Sequence, residues 1–130
     1  MLEEVIKLLA ALGYTELSDS DRVILTFSQS KVESYIKNEI NWKEIPQGLE
    51  HATVCRILGE FLLHKKTFSP ADLSMLDLSG ESVKQIQAGD TNYIFMAEGR
   101  ETDEARLTAF INHLLSYGEN QFSAFRRIRW

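Results

Sequence analysis

The residues of this chain best placed for chemistry are His51 and Cys55, four positions apart and so able to share one helical face. An imidazole and a thiol at that spacing can form half of a metal site, but such a site needs three or four ligands. Neither His64 nor His113 is placed by the sequence to complete it. The simpler expectation is a buried, inert Cys55 beside a surface or half-buried His51. Carboxylates also occur in pairs, at Glu3-Glu4 and Asp103-Glu104. Both pairs fall where helices are expected to begin, and acids there stabilise the backbone dipole. Asp90 follows Gly89 and reads as a turn residue. There is no Gly-rich phosphate loop, no nucleophile elbow and no paired-histidine zinc helix. The expectation is a protein without catalytic residues, metal or cofactor.

The C-terminal tip carries a different kind of chemistry. Phe122, Phe125, Ile128 and Trp130 interleave with Arg126, Arg127 and Arg129. Aromatic and arginine side chains anchor many protein interfaces, because they combine contact area with directional hydrogen bonding. Two readings stay open. The segment is either a last turn that packs its aromatics on its own domain, or a docking peptide offered to a partner. Residues 119–130 are therefore set apart as a candidate docking tail, behind a helical domain spanning 1–118.

Those residues need a scaffold. The 130 residues suit one domain, and 44% hydrophobic with 25% charged residues supports a packed core. Net charge is −5, a poor match to nucleic acid, which demands many cations. Without the three tip arginines, eleven cations face nineteen acids. A second helix could be imagined as a DNA-reading element, since it carries Arg22, Lys31 and Lys37, but Asp19, Asp21 and Glu33 accompany them. No apolar run approaches the ~18 residues of a membrane span. The acidic, helix-patterned start does not read as a signal peptide.

Periodicity predicts the elements. Leu2, Val5, Ile6, Leu9 and Leu12 form a first helical stripe closed by Gly13. Ser18 or Ser20 caps a second helix running to about Asn38 or Glu39. Its stripe is Leu25, Val32, Ile36 and Ile40, broadened by Phe27 and Tyr35. Pro46 begins a third helix whose broad apolar surface (Ala52, Val54, Cys55, Ile57, Leu58, Phe61, Leu62) predicts a central position. Gly59 inside it costs about 1 kcal/mol in propensity, which a close crossing by another segment would explain. Ser69-Pro70 starts a short turn, and Thr102-Asp103-Glu104 a last strong helix with a Leu107, Phe110, Ile111, Leu114, Leu115 stripe ending at Gly118. Between them, β-prone runs around Ala88-Gly89-Asp90 predict a hairpin near residues 82–96. The expected fold is mainly α, a small bundle of about four main helices with one short β-hairpin.

The order of these features resembles the head–tail connector, or adaptor, proteins of tailed bacteriophages and prophages of Gram-positive bacteria. The likeness covers most of the chain. It rests on the amphipathic start, Ile45-Pro-Gln-Gly-Leu49, Gly59-Glu-Phe-Leu62, Val83-Lys-Gln-Ile-Gln-Ala-Gly-Asp90, Leu114-Leu-Ser-Tyr-Gly118 and Phe125-Arg-Arg-Ile-Arg-Trp130. The resemblance implies a structural subunit that assembles as a homo-oligomeric ring, a dodecamer when mounted on the portal. It implies the portal protein and a head-completion (stopper) or tail protein as partners. Double-stranded DNA would pass through the ring's channel without specific binding. It further implies synthesis in the host bacterial cytoplasm and residence in the virion at the head–tail interface. The alternatives carried forward are a small helical DNA-binding regulator and a metal-dependent enzyme built on His51 and Cys55.

Overall fold

A computed structural model of the chain describes residues 2–73, 76 and 103–126. Its α-helices are α1 (Leu2–Ala11), α2 (Asp19–Ile40), α3 (Glu50–Phe68), α4 (Asp103–Leu115) and a seven-residue α5 (Glu119–Phe125). Single 3₁₀ turns precede and follow α3, at Gln47–Leu49 and Pro70–Leu73. The protein is mainly helical, and no strand occurs among the described residues. The hairpin expected near 82–96, with its Gly89-Asp90 turn, lies outside the described residues.

Each helix end has an identifiable cause. Beyond α1, Tyr14 N–H reaches Leu9 O at 2.8 Å and Gly13 N–H reaches Ala10 O at 3.0 Å. That is the paired bonding of a Schellman cap, and Gly13 supplies the required left-handed φ of 102°. The same bend buries Tyr14 beside Leu9 in the core. At the start of α2, Ser18 Oγ accepts from Asp21 N–H at 3.1 Å while Asp21 Oδ2 accepts from Ser18 N–H at 3.2 Å. This capping box satisfies two backbone donors that have no helical partner. The helix ends one turn beyond Lys37, at Ile40, where Asn41 takes the left-handed conformation.

The centre of the molecule is α3. Ala52 through Gly59 is buried without a break, followed by Phe61, Leu62 and Lys65. Helices α1, α2 and α4 and the 70–73 turn all pack on it. Val5, Leu9 and Leu12 come from α1 and its cap, Leu25, Val32, Ile36 and Ile40 from α2, and Phe110, Ile111 and Leu114 from α4. At ~25 cal/mol per Å², burial on this scale is the main favourable contribution to folding. The expected crossing over Gly59 is present: a Cβ there would lie 2.8 Å from Leu114 Cβ and 3.2 Å from Leu115 N. Pro46 caps the 3₁₀ turn that runs into α3, rather than opening the α-helix itself.

The α2 stripe is narrower than its sequence suggests. Phe27 is 68% exposed and Tyr35 half-exposed. At ~100° per residue, Phe27 lies about 200° round the helix from Leu25, on the side facing away from α3. Val23, 69% exposed, shares that outer side.

Candidate functional site

The last described turn folds back on the body. Phe122 is buried, with its ring centroid 6.4 Å from that of Tyr35. Phe125 is half-buried; its ring stands edge-on to Trp42 at 6.4 Å, and its carbonyl accepts from Trp42 Nε1. Arg126 donates through Nε to Glu39 O at 2.8 Å and pairs with the Glu39 carboxylate at 3.1 Å. A cation at this end of α2 also complements the helix dipole. Phe122, Phe125 and Arg126 are thus brought together against α2 and the link after it. Arg127, Arg129 and Trp130 lie outside the described residues, as do Gly89 and Asp90.

Phe122 helps to build a site that the apolar pattern of α3 conceals. Arg56, only 6% exposed, sits in the middle of that helix's buried run. Its guanidinium lies 4.7 Å from the Phe122 ring centroid and 5.4 Å from that of Tyr35. Its Nε donates to Tyr117 O at 2.8 Å, which ties α3 to the turn between α4 and α5. Its Nη2 is buried and has no hydrogen-bond partner. An unsatisfied buried donor costs about 1–3 kcal/mol, more when charged. Contact with two aromatic faces offsets part of this, at about 0.5–2 kcal/mol each. A cleft of about 270 Å³ opens beside it, lined by Lys31, Val32, Tyr35, Arg56, Glu60 and Leu115. Lys31 and Glu60 form an ion pair there at 3.1 Å. The one warning of this site in the sequence is a single arginine inside an otherwise apolar helical stretch.

A second polar cluster is buried at Asp21, Lys65 and Tyr14 and open to solvent at Asp72. Lys65 Nζ donates to Asp21 Oδ1 at 2.8 Å and to Asp72 Oδ2 at 2.7 Å, while Tyr14 OH donates to Asp21 Oδ2 at 2.8 Å. Four segments meet there: the α1 cap, the start of α2, the end of α3 and the 70–73 turn. Burial pulls the Asp21 carboxyl upward, but bonds from Lys65, Tyr14 and the Ser18 backbone outweigh it and hold the group below its ordinary range. Burial likewise disfavours the Lys65 ammonium, yet Asp21 and Asp72 reverse the balance and raise it. Burial and the Asp21 bond push Tyr14 up to about 12. With every group paired, the cluster is a clamp rather than a reactive centre.

His51 and Cys55 do share a face, with Cys55 Sγ 3.8 Å from His51 Nε2. Burial pushes the thiol up to about 12, and a protonated thiol is a poor nucleophile and metal ligand. The His51 ring stands edge-on to Tyr117 at 5.2 Å. No group of three metal-ligating side chains occurs among the described residues. No helix among them is long and apolar enough to cross a membrane. Large apolar side chains do face outward: Val23 and Phe27 on α2, and Phe68, 72% exposed, at the end of α3. No protein-family model, no curated protein and no solved structure matches this chain.

Proposed function

We propose that the chain is a structural subunit of a phage or prophage head–tail connector. It assembles with copies of itself as a ring on the portal, extends the DNA channel and receives a stopper or tail protein. The observation that carries the reading is the outer side of α2. Val23 and Phe27 stand four residues apart, each about two-thirds exposed and facing away from α3. Exposed residues of this kind contribute little to the subunit's own stability, and an apolar pair on one helix face offers a contact to a neighbouring copy. The acidic body agrees with a channel wall that DNA slides past, because like charge discourages adhesion.

The test is to mix the purified chain with a purified portal ring from the same source and follow the mass by light scattering. The expected result is a stoichiometric ring–portal complex. The double variant Val23→Glu, Phe27→Glu should lose that complex while its melting temperature stays near that of the parent, since exposed sites shift stability by only about ±0.5 kcal/mol. Full-strength binding by the double variant would remove α2 from the interface. No binding by the parent chain would end the connector reading. Truncation after Arg126 tests the remaining tip: Arg127, Arg129 and Trp130 are docking residues if portal binding falls while the fold still melts cooperatively. A mobility-shift titration at low salt separates the regulator alternative, which requires tight duplex binding with a steep salt slope.

A further inference from the structure

We propose that the cleft beside Arg56 receives a carboxylate side chain, an aspartate or glutamate flanked by an apolar residue, presented by a partner protein. This rests on the reading that the chain works by docking, and it names the chemistry one part of that docking uses.

The guanidinium is a planar fork of five donors whose geometry matches a carboxylate. Here Nε donates to Tyr117 O, the Tyr35 and Phe122 rings lie against the group on adjacent sides, and Nη2 is left without a partner. A fork held in this way loses little freedom when a ligand arrives, so its hydrogen bonds form at low entropic cost. The Tyr35 ring, 44% exposed, lies over the guanidinium. Nη2 is buried in the free chain, so a carboxylate reaches it only when a covering side chain turns aside.

The rest of the cleft selects the ligand. Val32, Leu115 and the Tyr35 ring are apolar, which suits methylenes and a neighbouring aliphatic group. Lys31 supplies a second cation, already shared with Glu60. Two cations against one acid leave the cleft positive on a chain of net charge −5, so an approaching anion finds its favourable field here. The volume of about 270 Å³ is at the lower end of small-molecule pockets, which run from about 300 to 1,000 Å³. It accommodates one or two side chains rather than a cofactor. An apolar floor, a buried arginine and a polar rim are also the parts of an interface hot spot.

The test is an NMR titration of the full chain, following the Arg56 Nε–Hε signal and the backbone amides of Val32 and Leu115. The probes are acetyl-Leu-Glu-Leu-amide, acetyl-Leu-Gln-Leu-amide and inorganic phosphate. The glutamate peptide should move all three signals and bind at least about tenfold more tightly than its glutamine counterpart, because a charge-assisted bond to Arg56 is lost in the latter. Lys31→Gln, at an exposed rim position, should weaken the glutamate peptide several-fold without changing the fold. Arg56→Lys should abolish the preference for glutamate over glutamine; should that variant fail to fold, the Lys31→Gln series and the matched peptides decide the matter. Equal binding of the two peptides, saturation of the same signals by phosphate at lower concentration, or shifts confined to other regions would each overturn the proposal. Peptide binding without any portal complex would retain the cleft and discard the connector, and the reverse result would do the opposite.

Discussion

Replacing Gly59 by alanine sets two effects of opposite sign against each other. In a free helix the change gains about 1 kcal/mol, because glycine has the larger backbone entropy to lose. Here the new methyl would sit 2.8 Å from Leu114 Cβ, 3.2 Å from Leu115 N and 3.3 Å from Leu114 C. All three belong to the rigid part of α4, so no side chain can swing away. Ordinary carbon contact begins near 3.5 Å, so α3 and α4 must separate locally by about 0.7 Å. Overpacking of this kind costs about 1–3 kcal/mol, and separation also loosens Phe110, Ile111 and Leu114 against α3. A contact of 2.8 Å against atoms that cannot swing away places the strain in the upper part of that range, about 2–3 kcal/mol, so the expected net destabilisation is about 1–2 kcal/mol. For a domain of this size that lowers the melting temperature by about 5 °C. Urea unfolding followed by circular dichroism should show a lower midpoint with an unchanged slope. A Gly59→Ala protein as stable as the parent, or more so, would refute the reasoning: the two helices would then part freely, and the close approach would not be the reason for glycine.

Lys65→Met should cost about 3–5 kcal/mol, because it leaves Asp21 buried without its cation; a loss below 1 kcal/mol in urea unfolding would show the clamp to be dispensable. The pH dependence has two sides. Asp21 titrates below its ordinary value of 3.8 when folded, so its contribution is present above that value and is lost as pH falls through the folded one. Lys65 is raised above its ordinary 10.5, and Tyr14 is raised from 10.0 to about 12, so their contributions are complete below the ordinary values and are lost as pH rises through the folded ones. Asp21→Asn should flatten the acid limb of a stability–pH curve, and an unchanged acid limb would exclude this carboxylate as its source. Phe122→Ala removes a buried ring and one of the two aromatic contacts of Arg56, at about 3–5 kcal/mol by thermal unfolding; an unaltered melting curve would mean that α5 docks independently of that ring. Cys55 should resist alkylation by iodoacetamide at pH 8 and react only in denaturant, and mass spectrometry would expose rapid labelling of the native chain.

The helical architecture is legible because its signals are local. A serine cap at 18 or 20, the Gly13 cap, the breadth of the α3 surface and the Gly59 crossing all follow from spacing and residue type; the folded chain carries each of them and chooses Ser18 as the cap. Periodicity fails where it has to assign one side of a helix to a neighbour. Hydrophobicity groups Phe27 and Tyr35 with the core stripe, yet position alone turns Phe27 outward. The polar centres are least legible, since their partners lie far apart along the chain. Asp21 and Lys65 stand 44 residues apart with no local signal of each other, and only the packing of α2 on α3 brings them to 2.8 Å. Arg56 is hidden for the same reason, because its aromatic faces come from positions 35 and 122.

The encirclement of α3 has a consequence for how the molecule breathes. Helices α1, α2 and α4 cover its buried run from Ala52 to Leu62, so the amide protons there should exchange only when the whole domain opens. The seven-residue α5 should release its protons earlier, through fraying, despite its anchor at Phe122. Deuterium uptake would then separate the two roles of α2: a bound neighbour should slow exchange along its outer side, while α3 continues to report the global unfolding free energy.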